Sequence, residues 1–144
     1  MEGVTSAAAP AGPDAAENDT PQPYGARQHF DVLNELADCY AQRGQGERAA
    51  ELYRQAADLL AEEAAPAVGL GTLAVRAGRL DEAAGQFRAA LDIDPACADA
   101  HAGLAMVHQR QGRYDQAFDA YLKSLEQDQD NLVALLGLFQ TSCQ

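Results

Sequence analysis

The sequence predicts an all-α protein, a solenoid of three helix–turn–helix units plus one extra C-terminal helix. Three observations carry this expectation. Gly44, Gly78 and Gly112 recur every 34 residues. The same period returns Ala49, Ala83 and Ala117, the aromatics Tyr53, Phe87 and Tyr121, and the leucines Leu36, Leu70 and Leu104. Between these markers apolar residues fall at helical spacing, as Leu104, Val107 and His108 do at i, i+3 and i+4. A fixed period of this length marks stacked units, each too small to bury its apolar face alone.

The elements follow in order. Residues 1–23 are rich in Ala, Pro, Gly and acids, with Val4 almost alone as a large apolar residue. Such a segment cannot offset the entropy of ordering, so it reads as a disordered acidic tail before a repeat domain over 24–144. Pro21 and Pro23 mark the start of the first helix. The units span 30–63, 64–97 and 98–131 without an insertion, and 132–144 begins a fourth. In each unit the glycine stops the first helix. Glu47, Asp81 and Asp115 then stand where a carboxylate meets the positive end of the second helix. Pro95 closes unit two. Ala61 and Gln129 hold its place in units one and three, so the second helix of unit one is expected to run on toward Pro66.

The units resemble tetratricopeptide repeats. Unit two carries the pattern best, through Leu70-Gly71, Gly78, Asp81-Glu82-Ala83, Phe87, Ala90-Leu91 and Asp94-Pro95. Unit three matches through Leu104-Ala105, Gly112, Tyr114-Asp115, Ala117, Tyr121 and Leu125, and unit one through Leu36-Ala37, Tyr40, Gly44, Ala49, Tyr53 and Ala56. The resemblance covers residues 30–144 and implies a right-handed superhelical stack. Ala37, Gly71 and Ala105 are then the small residues that let paired helices approach, with Ala49, Ala83 and Ala117 opposite. Tyr53, Phe87 and Tyr121 fill the space between units. The chain departs from the pattern where large aromatics are usual: Leu33, Ala67 and His101 hold the first such place, and Tyr40, Ala74 and His108 the second. Unit two is thus thin along its first helix.

Composition narrows the function. The 144 residues suffice for one domain and carry a formal net charge of −12, with Lys123 the only lysine. No basic patch is present, which argues against nucleic acid and favours a basic partner. No apolar run approaches the ~20 residues that span a bilayer, and the N-terminus lacks the basic start of a secretory signal. Cys39, Cys97 and Cys143 show no metal or disulfide spacing, as expected of reduced thiols in a cytoplasm.

No catalytic, cofactor or metal site is expected. Gly69-Leu70-Gly71-Thr72-Leu73-Ala74 has the spacing of a dinucleotide loop, but such a loop must follow a strand. Inside a helical repeat, Gly71 reads as a packing residue. His101 and His108 share a helix face yet lack a third ligand, and both fall on core places. Asp128-Gln129-Asp130-Asn131 lacks the glycine and closing glutamate of a calcium loop. Cys39 reads as a small buried residue, and Cys97 as the more exposed thiol.

The resemblance also implies where a partner sits. First helices line a concave groove through the second, fifth, ninth and twelfth repeat positions. In unit one these include Asp31, Asn34 and Asp38; in unit two Val68, Thr72 and Val75; in unit three Ala102, Met106 and Gln109. No lysine or arginine stands at these positions, which argues against the clamp that chaperone-binding relatives use for terminal carboxylates. The expected partner is a protein: an amphipathic helix or extended peptide with some positive charge, held by a non-catalytic adaptor. The alternative is the regulatory repeat region of a larger enzyme. Leu132, Leu135, Leu136 and Phe139 form an apolar end without a partner helix. That end is expected to reflect truncation first, with a downstream domain or self-association as the other readings.

Overall fold

The computed structural model describes residues 23–143, which form seven helices. They are α1 (Pro23–Gln42), α2 (Gly46–Leu59), α3 (Ala65–Arg76), α4 (Leu80–Ile93), α5 (Ala98–Arg110), α6 (Tyr114–Gln127) and α7 (Leu132–Ser142). Apart from Pro23, which opens α1, the tail expected over 1–23 lies outside the described residues.

The turn inside each unit is built on its glycine. Gly44, Gly78 and Gly112 all adopt φ +79°, a left-handed conformation that costs a residue with a Cβ about 1–2 kcal/mol. That twist lets the next amide reach back across the helix end. Gln45 N donates to Tyr40 O at 2.9 Å, Arg79 N to Ala74 O at 2.8 Å and Arg113 N to His108 O at 2.8 Å. These are the 6→1 bonds of a glycine-closed helix end. Gln45, Arg79 and Arg113 then cap the second helices through their carbonyls, with no side-chain cap. Glu47, Asp81 and Asp115 lie in the first turn that follows.

The helices form two rows. α1 packs on α2, α3 on α4 and α5 on α6, and each pair meets the next through α2–α3, α4–α5 and α6–α7. α1, α3, α5 and α7 also touch one another in sequence, whereas α2, α4 and α6 do not. The first helices therefore make the inner row and the second helices the outer one.

Alanine sets the spacing within a pair: Ala37, Ala49, Ala83, Ala105 and Ala117 are completely buried. The aromatic ladder joins the pairs. Tyr53, Phe87 and Tyr121 are all buried, and each lies against a glycine of the following unit. A Cβ at Gly69 would fall 2.4 Å from the Tyr53 ring, one at Gly103 2.3 Å from Phe87, and one at Gly137 2.1 Å from Tyr121. Gly69, Gly103 and Gly137 thus form a second 34-residue glycine period, set by side-chain room rather than by φ. The spacing that resembles a dinucleotide loop is explained here: Gly69 receives Tyr53, and Gly71 receives Phe87.

Two expectations are corrected. α2 does not run toward Pro66. It stops at Leu59, and Leu60 turns extended to pack with Phe30, Leu33 and Ala56. Burying Leu60 against α1 outweighs the extra helical turn. Pro66 instead sits near the start of α3, where a missing amide costs nothing. Cys39 is exposed, and Cys97 is the half-buried thiol. Two residues on from the buried Ala37, Cys39 lies roughly 200° around the helix, on its outer face.

Candidate functional site

The inner row shapes a continuous channel of three overlapping recesses. The first lies between α1 and α3, about 490 Å³, and Asn34, Asp38, Val68 and Thr72 help to line it. The central recess, about 700 Å³, shares Asp38, Val68 and Thr72 and adds Val75, Ala102 and Met106. The third, about 440 Å³, shares Met106 and continues past Gln109 to Val133 and Leu136 on α7.

Eight of the nine groove residues expected from the sequence therefore line one channel. Asp31 does not: it lies on α1 beside Arg27, 4.0 Å away. Val75 and Ala102 line the floor yet belong to the core, at 3% and 1% exposure. Val75 packs in one cluster with Ala83, Phe87 and Val107. The half-buried part of the floor is Val68, Thr72 and Met106. Leu132, Leu135, Leu136 and Phe139 are exposed on α7, Phe139 at 71%.

The polar groups of the channel are held from behind. The Tyr53 hydroxyl donates to Asp38 Oδ1 and the Tyr121 hydroxyl to Gln109 Oε1 at 2.8 Å. Burial, then the bond to Asp38, raises the Tyr53 phenol above its ordinary value. Burial also raises the Tyr121 phenol. Both remain hydrogen donors at neutral pH. Asp99 Oδ1 accepts from Asn131 Nδ2 at 2.7 Å, while Asn131 Oδ1 caps α7 by accepting from Ala134 N at 2.9 Å. Thr72 Oγ1 donates to Val68 O within its own helix. Asn34 Oδ1 is buried without a hydrogen-bond donor.

Sequence reasoning missed the charges at the channel edges. Arg76 and Arg110 line the central recess from the last turns of α3 and α5. Glu63, Asp94 and Asp99 line the first recess at the opposite ends of those helices. The signal was present, because Gln42, Arg76 and Arg110 share a repeat position one residue beyond those considered.

The other residues singled out from the sequence lie in structural surroundings. His101 Nε2 lies 3.0 Å from Pro95 O. His108 Nδ1 is buried without a partner, and burial first, then Arg113 and Arg88, hold its imidazole below the ordinary value. Asp128 Oδ1 accepts from Asp130 N at 3.1 Å, so this segment is an inter-unit turn. Burial pushes the Cys97 thiol up. Among the described residues no group of three His, Cys, Asp or Glu side chains is placed to hold a metal ion. No described helix is long and apolar enough to cross a membrane.

An inner row of helices, an outer row and a channel along the first define an α-helical repeat solenoid. Models of the tetratricopeptide repeat match residues 32–65 and 68–131. The chain belongs to the tetratricopeptide repeat family. No curated protein matches it by sequence. Among solved structures it is similar to the first repeat domain of Spaghetti (RPAP3) bound to an HSP90 peptide. There the TM-score is 0.70 at 18% identity, over 81% of this chain and 92% of that one. The Sgt2 repeat domain from Aspergillus fumigatus gives 0.71 at 21% identity, over 86% and 80%. An O-GlcNAc transferase variant from Thermobaculum terrenum gives 0.75 at 20% identity, over 85% of this chain but 23% of that one. At these identities the likeness is one of fold.

Proposed function

We propose that this chain is a non-catalytic adaptor that holds a peptide or amphipathic helix of a partner protein in the channel of its inner helices. The carrying observation is the continuity of that channel, with a floor of Val68, Thr72 and Met106. A floor of this kind supplies burial, and the polar groups on it fix orientation. The similar domain of Spaghetti holds an HSP90 peptide, which supports peptide binding as the mode. That peptide's identity does not transfer, because the groove positions that chaperone-binding relatives use for a carboxylate clamp hold no lysine or arginine in this chain. Free cysteines, two of them exposed, support a reducing, cytoplasmic setting.

The second reading is a regulatory repeat region of a larger enzyme. The likeness to part of the O-GlcNAc transferase favours it, and the same channel would then hold a substrate protein.

The test is the double variant Val68→Glu with Met106→Glu. Both side chains are half-buried, so a glutamate at either can reach water while it spoils the floor. Proteins captured from native lysate by the parent chain should bind the variant about tenfold more weakly or worse, with helical circular dichroism unchanged. Equal binding by both chains would remove the channel as the binding surface.

A further inference from the structure

The channel has two edges of opposite charge. The N-terminal ends of α3 and α5 meet in the first recess and bring Glu63, Asp94 and Asp99 to one edge. Arg76, which also reaches the first recess, and Arg110 stand at their C-terminal ends and form the other edge; Asp38 and Asp99 line the central recess with them. Between the edges runs the floor of Val68, Thr72 and Met106. Helix dipoles favour acids at helix starts and arginines at helix ends, which accounts for the sign of each edge. They do not account for these side chains lining the channel rather than the outer surface.

The two edges differ in how far they are committed. Glu63 pairs with Arg27 at 2.6 Å, Asp94 Oδ1 accepts from Ala96 N, and Asp99 Oδ1 accepts from Asn131. Arg76 donates from Nη1 to the carbonyl of Ala41 at 3.0 Å. Among the described residues, neither Arg76 nor Arg110 lies in an ion pair. The arginine edge therefore keeps two cations outside any ion pair among the described residues, in a recess that Asp38 and Asp99 also line and in a chain whose net charge is −12.

We infer that the occupant of the channel is an amphipathic helix with split flanks: an apolar stripe, lysine or arginine along one side of it and glutamate or aspartate along the other. This rests on the channel being the binding surface. An extended segment turns alternate side chains to opposite faces, so with one face on the floor its charges point away from both edges. A helix presents residues on both sides of its apolar stripe at once. Inner helices packed about 8–10 Å apart make the four-helix channel roughly 24–30 Å long, and about 16–20 helical residues fill it.

The test uses the full chain and four synthetic helical peptides of about eighteen residues with one shared leucine stripe. Their flanks are lysine on one side and glutamate on the other, lysine on both, glutamate on both, or glutamine on both. Fluorescence anisotropy at low salt should show the split peptide bound about five- to tenfold more tightly than the all-lysine peptide, with the all-glutamate peptide weakest. Raising the salt should narrow these differences, because the edges are exposed. In Arg76→Glu with Arg110→Glu the preference should pass to the all-lysine peptide. Equal binding of the split and all-lysine peptides by the parent chain, or an unchanged ranking in the arginine variant, overturns the split-flank helix and leaves the channel standing. Undiminished binding of the split peptide by Val68→Glu with Met106→Glu overturns the channel itself, and the split-flank helix with it.

Discussion

Phe87 and Tyr121 occupy the same repeat position, yet their surroundings differ. Phe87 is wedged between two glycines, Gly71 of its own unit and Gly103 of the next. Tyr121 lies against one, Gly137, and its own unit offers Ala105 in place of Gly71. Phe87 has no hydroxyl, and Thr72 in its unit already donates to its own helix. Tyr121 sends its hydroxyl into the channel, to Gln109. The central seam thus spends its aromatic wholly on packing, whereas the last seam divides its aromatic between packing and the site. The packing neighbours differ as well. α5 is held by α3, α4, α6 and α7, while α7 among the described helices meets only α5 and α6.

The largest expected difference comes from emptying the two seams. Phe87→Ala should cost about 3–5 kcal/mol, the range for losing a buried aromatic, because α4 and α5 are pinned on both sides and cannot close the gap. Tyr121→Ala should fall at or below the lower end of that range, since α7 can settle into the space. Urea unfolding followed by circular dichroism measures both. Equal losses would show that α7 is as firmly held as α5.

Crowding the seams is the next test and runs in the same order. Gly103→Ala puts a Cβ 2.3 Å from the Phe87 ring, and Gly71 lies against that ring as well. Overpacking of this kind costs about 1–3 kcal/mol. Gly137→Ala makes a closer nominal approach, 2.1 Å, yet should cost less, because the helix that carries it can shift outward. Alanine's better helix propensity offsets up to about 1 kcal/mol in each. A larger loss at Gly137 than at Gly103 would mean that nominal distance, and not freedom to relax, decides the cost.

These glycines also show what the sequence makes legible. The turn glycines announce themselves because each ends an apolar pattern, and left-handed φ leaves few alternatives to glycine. Gly69, Gly103 and Gly137 lie within helices, where glycine has no local purpose, and their cause is a ring from another helix. Period alone would have found them; the reason needs the packing. The floor of the channel was readable from repeat position. The arginine edge carried a weaker signal: Arg76 and Arg110 share a repeat position, but one residue beyond those that usually face a groove and in helix ends where an arginine already suits the dipole. The Tyr53 and Tyr121 hydroxyl bonds were unreadable for a different reason: they join residues 15 and 12 positions apart across a turn.

The smallest expected effect concerns protons at the central seam. His108 of unit three occupies the repeat position that Tyr40 holds in unit one. There the ring lies under a cation, with the Arg48 guanidinium 5.7 Å from the Tyr40 centroid. At His108, burial holds the imidazole below its ordinary value, and Arg113 and Arg88 push the same way. A base held low when folded takes up its proton more readily when unfolded. It leaves stability untouched well above the unfolded value of about 6.5 and removes stability as pH falls through it, until the folded imidazole is charged too. Between about pH 7.5 and 5, the parent should therefore lose more thermal stability than His108→Gln, whose side chain does not titrate. The carboxylates common to both proteins cancel in the comparison. Superimposable pH profiles would place the His108 ring in water, and the central seam would then respond to acid no more than the seam beside Tyr40.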